Sequence, residues 1–209
     1  MQAEHIPAKG DLKMITSPMA LEVDRLTGRL NGASRHYEKH VRDLAGLYID
    51  DAAFASYCAT HGDDLAYFVD DFHTDEDEGL VVGTSVLSPG VVGREYAMTR
   101  GHLHEHAAAP EMYHCLSGHG VVVLESLEGE LRVVEMRDGT VVYIPGHWIH
   151  RSVNVGRDLL VTLFVYSSAA GQDYGVVERA GGLSRLVVRD GEAWALVDNP
   201  RYMARDVVR

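Results

Sequence analysis

The chain has 209 residues, of which 46% are hydrophobic, and a formal net charge of −12 from 19 basic and 31 acidic side chains. This length fits one domain, and the acidic balance without a basic stripe argues against a nucleic-acid-binding protein. Residues 1–22 contain no signal-peptide pattern and the most apolar stretch, 159–170, is too short to span a bilayer, so we expect a cytoplasmic protein with no membrane partner.

The first third of the chain is expected to hold short elements that pack on the outside of a β domain. Residues 1–20 have the composition of a polar arm, and residues 21–209 then form the single domain. Residues 19–31 predict two short strands with a turn between them.

Two helices are expected next. After Ser34, apolar side chains recur at helical spacing, at Tyr37, Val41, Leu44 and Tyr48. A second short helix is expected to begin at Asp50 or Asp51 and to end at Gly62.

Short segments rich in Val, Leu, Ile and Tyr predict strands through the rest of the chain. These segments are 65–69, 80–87, 95–104, 111–116, 120–124, 131–136, 140–144, 151–155, 159–166, 183–189 and 193–197. The acidic run 70–79 is expected to be a solvated loop, and the Glu128-Gly129 and Asp138-Gly139 pairs are typical of hairpin turns. So many short strands predict an all-β sandwich or barrel.

One cluster of residues in these strands is a candidate metal site. His102 and His104 lie two positions apart, so an extended strand would point both imidazoles to one face. Glu111 and Tyr113 form a second such pair on the next segment, and His150 could arrive from a later strand. Three imidazole nitrogens and one carboxylate oxygen suit Fe(II), Mn(II), Ni(II) or Zn(II).

The spacing of these residues resembles the two motif blocks of the cupin superfamily. Six residues separate His104 from Glu111, and the second block runs from Gly139 through Pro145 and His150 to Asn154. The long gap before Glu111, with Glu-x-Tyr after it, resembles the cupin-type phosphoglucose isomerases. The resemblance covers roughly residues 21–202 and implies a single-domain cupin jelly-roll barrel with short peripheral helices.

The resemblance also implies an activity and roles for individual residues. It implies a metal-dependent isomerase that interconverts glucose 6-phosphate and fructose 6-phosphate, with one divalent ion per chain, Fe(II) before Mn(II), Ni(II) or Zn(II). Glu111 would be both ligand and proton carrier, although a metal-assisted hydride shift is an alternative, and Tyr113 would act beside it. Residues expected to bind the substrate, through its phosphate or its sugar, are Ser85, Thr99, Gly101, Tyr67, Tyr166 and Tyr174. We also expect a homodimer.

Two other functions remain open, the first because of a departure from the family pattern. Gln172 stands where the family has a histidine, and glutamine cannot relay a proton. A metal-dependent sugar-phosphate-binding protein without catalysis is therefore one rival. A non-haem iron oxygenase is the other, disfavoured because His150 leaves less room at the metal and because no Arg is expected on the inward strand faces.

Overall fold

Strands dominate the computed structural model, which describes residues 17–73 and 79–205. Most of the predicted arm, residues 1–16, therefore lies outside the described residues. The strands are β1 (Glu22–Val23), β2 (Leu30–Asn31), β3 (Arg35–His40), β4 (Leu65–Phe72), β5 (Leu80–Leu87), β6 (Val91–Val92), β7 (Glu95–Tyr96), β8 (Glu111–Ser117), β9 (His119–Ser126), β10 (Leu131–Arg137), β11 (Val141–Ile144), β12 (Trp148–Asn154), β13 (Leu160–Ser167), β14 (Arg185–Asp190) and β15 (Ala193–Asp198). The predicted all-β fold class is confirmed.

The largest sheet has six strands in the order β11-β8-β13-β5-β4-β3. All neighbouring pairs in it are antiparallel, so successive side chains alternate between its two faces. On β8 this alternation places Glu111, Tyr113 and Cys115 on one face. Tyr166 on β13 lies directly opposite Glu111, which brings their strands' inward side chains together.

A three-stranded sheet, β10-β9-β12, supplies the rest of the site. Its central strand β9 is buried almost throughout, because Val121, Val122 and Val123 are all at most 1% exposed. One apolar cluster joins this sheet to the six-stranded sheet and includes Val123, Ile149 and Cys115. Burial of this cluster provides the main driving force that holds the two sheets together.

Two smaller sheets complete the strand arrangement. The order of the first is β15-β14-β7-β6, and β1 pairs with β2 in the second. The two-strand prediction for residues 19–31 is thus confirmed.

The helix predicted after Ser34 is wrong. Residues 35–40 form strand β3, in which Arg35 pairs with Asp71 and Tyr37 with Val69 of β4, and only residues 41–44 make a short 3-10 turn. Val41 and Leu44 are buried in that turn, so half of the helical spacing belongs to it. Pairing with a strand 30 residues away in sequence overrides a local pattern that suits either structure.

The second predicted helix is confirmed as α1 (Asp51–His61). Asp50 caps it by accepting a hydrogen bond from the Ala53 amide at 2.8 Å, and the Gly62 amide closes its last turn on the Cys58 carbonyl. A further short helix, α2 (Gly175–Arg179), was not predicted and lies in the C-terminal part. No helix in the described part of the chain is long and apolar enough to cross a membrane.

Three further strand and loop predictions need correction. Strand β7 ends at Tyr96, and residues 97–104 are held only by isolated bridges such as His102 to His150. The Glu128-Gly129 hairpin is confirmed, but Asp138-Gly139 connects β10 to β11, which belong to different sheets.

The acidic run is the third correction. Asp70 and Asp71, predicted in a solvated loop, are buried in β4 at 1% and 4% exposure, where Arg29, His36 and Arg35 neutralise them. Residues 74–78 of the same run lie outside the described part.

Candidate metal centre and substrate cavity

The four predicted metal ligands meet at one buried point. The ligating atoms of His102, His104, Glu111 and His150 all lie within 4.8 Å of one another. Glu111 Oε2 is 3.2 Å from His104 Nε2 and 2.9 Å from His150 Nε2. All four side chains are buried, with at most 9% exposure.

Backbone pairing explains how residues so far apart in sequence converge. The His102 and His150 amides each donate to the other's carbonyl, at 3.2 and 3.0 Å, which places their side chains next to each other. Glu111 begins β8 in the opposite sheet. The cluster therefore spans the space between the two large sheets.

Hydrogen bonds behind the imidazoles point the correct nitrogen inward. His104 Nδ1 donates to the Ala109 carbonyl at 2.9 Å and His150 Nδ1 donates to the Trp148 carbonyl at 3.1 Å. With the proton on Nδ1, each Nε2 would present its lone pair to a bound cation, which is the arrangement that ligating histidines usually have.

Unpartnered nitrogens provide the test of whether a metal fits. His102 Nε2 and His150 Nε2 are buried, and neither has a hydrogen bond of acceptable geometry within the described residues. Buried polar atoms without partners are rare and costly. A cation at the centre would satisfy both nitrogens, so this donor set fits a divalent transition metal.

The charge state of the cluster suits a cation as well. Burial, reinforced by the neighbouring His150, lowers the pKa of His102 well below its ordinary value, so this imidazole is neutral. Burial alone would raise the pKa of Glu111, but His104 and His150 outweigh it and lower the pKa to about 2. Glu111 is thus a carboxylate at neutral pH.

A cavity of about 560 Å³ opens beside this cluster. His102, Glu111 and His150 form part of its wall, while His104 does not. Every residue predicted to bind substrate lines it: Ser85, Thr99, Gly101, Tyr67, Tyr166 and Tyr174. Tyr113 lines it too, and burial raises the pKa of Tyr113 well above its ordinary value, so its phenol keeps its proton.

Two hydroxyl groups in the cavity already have protein partners. The Thr99 hydroxyl oxygen accepts a hydrogen bond from the Ser152 amide at 3.1 Å, so its proton is free to be donated elsewhere. The Tyr174 hydroxyl donates to Gln172 Oε1 at 2.6 Å, which ties the departure at position 172 to a predicted substrate ligand.

The cavity also contains residues that the sequence interpretation missed. Arg35 and Tyr37 of β3 line it, and so does Arg100. The expectation that no Arg faces inward from the strands is therefore wrong. Arg35 Nε donates to Asp71 Oδ1 at 2.8 Å, and the Arg100 guanidinium lies 5.3 Å from the centre of the Tyr174 ring. Residues 35–40 carry no alternating apolar pattern that would have indicated this strand.

His147, a further histidine near His150 in the sequence, does not line the cavity. Its side chain is exposed.

Comparison with known proteins assigns the chain to a family. Residues 38–204 match the family model described as glucose-6-phosphate isomerase. The chain belongs to the glucose-6-phosphate isomerase family. The resemblance to its cupin-type members, based on the His102, His104, Glu111 and His150 spacing, is confirmed.

Relatives within this glucose-6-phosphate isomerase family match over nearly their whole length. A putative glucose-6-phosphate isomerase 1 of Rhizobium meliloti is 45% identical, over 90% of this chain and 89% of that protein. A glucose-6-phosphate isomerase of Sinorhizobium medicae is 46% identical over the same shares. One of Thermococcus gammatolerans is 38% identical, over 88% of this chain and 96% of that protein.

Proposed function

We propose that this chain interconverts glucose 6-phosphate and fructose 6-phosphate at a metal ion bound by His102, His104, Glu111 and His150. The observation that carries the proposal is the position of this buried donor cluster in the wall of a cavity large enough for a sugar phosphate. Relatives named glucose-6-phosphate isomerase, up to 46% identical, support the same substrate pair.

The ion we propose is Fe(II), with Mn(II), Ni(II) and Zn(II) as alternatives that the same donors accept. When bound, it supplies Lewis-acid stabilisation of negative charge on the sugar's carbonyl and neighbouring hydroxyl oxygens. Four protein ligands would leave open positions toward the cavity. A metal ion requires each histidine to coordinate as a neutral group, so Glu111 would contribute the only charge among the four ligands.

Glu111 is the group that we propose to carry the proton between C1 and C2. Its Oε2 faces His104 and His150, while no hydrogen bond to Oε1 is found in the described residues. A carboxylate with one oxygen toward the ligand cluster and one toward the substrate can take the proton from one carbon and return it to the other. Tyr113, still protonated, would donate to a substrate oxygen near Glu111.

The phosphate group is proposed to bind among neutral donors of the cavity wall. Ser85, Thr99 and Tyr166 offer hydroxyl donors there, and Gly101 offers its amide. Tyr174 would donate to the phosphate by exchanging its hydrogen bond to Gln172. Arg100 lies beside Tyr174 and is ion-paired with Glu178, so it would add positive charge for the phosphate only by exchanging that partner. Tyr67 is placed to contact the sugar.

We further propose a cytoplasmic homodimer. Support for the dimer comes from β11, an edge strand of the six-stranded sheet, where Val141 and Tyr143 are 61% and 69% exposed. Exposed apolar side chains on an edge strand favour pairing with a second chain. Light scattering would test it, since Tyr143→Lys should then yield monomers.

A metal-dependent binding protein without catalysis remains the second candidate, because Gln172 removes a titratable group from the site. Reaction of the metal-loaded protein with fructose 6-phosphate in D₂O, followed by NMR, separates the two. We expect glucose 6-phosphate that carries deuterium at C2. Binding without product supports the second candidate, and product without deuterium excludes a carried proton that exchanges with solvent and favours a hydride shift. Oxygen uptake during turnover would identify an oxygenase.

A further inference from the structure

The segment Thr99–His102 bulges where it crosses β12. The Thr99 amide donates to the Ser152 carbonyl at 3.0 Å, and His102 exchanges backbone hydrogen bonds with His150. Two residues of the segment, Arg100 and Gly101, therefore lie opposite a single residue of β12. An extra residue on one side of a strand pair defines a β-bulge, and such bulges reorient groups next to active sites.

Gly101 has the backbone conformation and the lack of a side chain that this bulge requires. Its φ of +76° lies in the left-handed region that favours glycine. A Cβ at Gly101 would lie only 3.2 Å from the His150 carbonyl and from two atoms of Arg151. No described residue accepts a hydrogen bond from the Gly101 amide, which leaves this amide available to a ligand.

The residue opposite the bulge is Arg151, and its side chain fills the space behind it. One terminal nitrogen donates to the Arg100 carbonyl at 2.7 Å, and the other is 3.4 Å from the Met98 sulfur. Its Nε has no partner in the described residues and packs against Gly101. The segment Thr99–His102 needs a packing partner on this side, because Arg100 and Gly101 also line a second cavity of about 440 Å³ there.

The charge of Arg151 is not neutralised by a contact. The side chain is 4% exposed, and no described carboxylate forms an ion pair with it, although Glu95 is near enough to interact through space. Burying a cation without a paired anion is unfavourable. We therefore expect this buried cation to have a function. The function proposed for the neighbouring cavity wall is to bind an anion, the substrate phosphate.

We infer that Arg151 is a positioning residue for the substrate phosphate, an inference that rests on the proposed phosphate site. Its side chain holds the Arg100 carbonyl and supports Gly101 from behind, so that the Gly101 amide and the Thr99 hydroxyl face the cavity. Its buried positive charge also favours an anion on the other side of this thin segment. Arg151 itself does not touch the substrate.

Steady-state kinetics with fructose 6-phosphate, with inorganic phosphate as competitor, tests this inference. Arg151→Met should raise KM and the inhibition constant of phosphate about tenfold or more, the effect of losing a charged hydrogen bond. The kcat and the metal content should stay close to wild type. Arg151→Lys keeps the cation and should fall between wild type and Arg151→Met. Arg157→Met, which removes an equally charged but 89% exposed side chain, is the control.

Three outcomes overturn the inference. They are an unchanged KM in a folded, metal-loaded Arg151→Met variant, an equal rise in the Arg157→Met control, or a loss confined to kcat. Where Arg151→Met fails to fold, Arg151→Lys decides, and a wild-type KM in that variant overturns the inference. Thr99→Val measured in parallel separates the two proposals, because a raised KM there with none in the Arg151 variants removes only the role of Arg151.

Discussion

His150 Nε2 lies 2.9 Å from Glu111 Oε2, although the two residues belong to strands of different sheets. The contact joins β12 to β8 across the interior, beside a cavity of about 560 Å³. At this point the buried Nε2 atoms of His102 and His150 have no hydrogen bond of acceptable geometry within the described part of the chain. The four side chains are therefore arranged to bind a cation. Removal of that cation should lower both the activity and the free energy of unfolding.

Metal binding should be lost in His104→Ala. His104 donates through Nδ1 to the Ala109 carbonyl and presents Nε2 to the centre, so its removal deletes one ligand and one orienting bond. Metal analysis should find less than one ion per chain in this variant. His106→Ala, at an exposed neighbouring position, is the control and should keep its metal. A full complement of metal in His104→Ala would exclude the proposed ligand set.

The phosphate site predicts a specific kinetic effect for two hydroxyl groups. Ser85→Ala and Thr99→Val each remove a donor from the cavity wall, at a loss of about 1.5–3 kcal/mol for a charged acceptor. KM for fructose 6-phosphate should rise about ten- to a hundredfold at that energy. Ser168→Ala, which does not line the cavity, is the control. An unchanged KM in both cavity variants would exclude phosphate binding by Ser85 and Thr99.

The glutamine at position 172 predicts that ring opening slows one direction of the reaction more than the other. Opening the sugar ring needs proton transfer, to which a positioned histidine typically contributes about 10²–10⁴-fold, and glutamine cannot supply it. Gln172→His should therefore accelerate the glucose 6-phosphate direction more than the reverse, because fructose 6-phosphate opens more readily. Initial rates at saturating substrate measure this. Gln172→Met, of similar size but without a titratable group, should not accelerate either direction. Equal effects of Gln172→His on the two directions would contradict a ring-opening role for position 172.

Stability should depend on pH through a buried ion pair outside the candidate ligand cluster. Burial raises the pKa of Glu125, but the Ser184 hydrogen bonds and Arg205 outweigh burial and lower it below 4.5. A lowered folded pKa means that the stabilisation is complete above about pH 4.5 and is lost as pH falls through the folded value.

The matching variant is Glu125→Gln. It leaves Arg205, 7% exposed, without its anion, so the free energy of unfolding at pH 7 should fall by about 3–5 kcal/mol. The decrease in stability between pH 5 and pH 3 should become shallower in this variant. Urea unfolding across that range measures both, with the 92% exposed Glu192→Gln as a control that should change little. An unaltered pH slope would contradict the role assigned to Glu125.

The candidate metal ligands could be grouped from the sequence because their types and spacing form a pattern. His102 and His104 are two positions apart, and the spacing to Glu111 and His150 matches a known family pattern. Most strands from 65 onward were predictable for a related reason, since short apolar runs with glycine turns allow few other folds.

The missed parts of the site depend on contacts distant in sequence. Arg35 and Tyr37 enter the cavity only because β3 pairs with β4, and the spacing through Val41 and Leu44 also suited a helix. The bulge at Gly101 likewise arises from one unmatched residue between two long-range backbone contacts. Neither feature leaves a periodic signal, so the cavity wall was predicted less completely than the buried His/Glu cluster.

The most direct test of the central claim is the initial rate of glucose 6-phosphate formation from fructose 6-phosphate by one protein preparation in three states. These are protein stripped by a chelator, the same protein reloaded with Fe(II), and Glu111→Gln loaded in the same way. The account predicts turnover only in the reloaded wild type. Turnover by metal-free protein, or by Glu111→Gln at the wild-type rate, would contradict it.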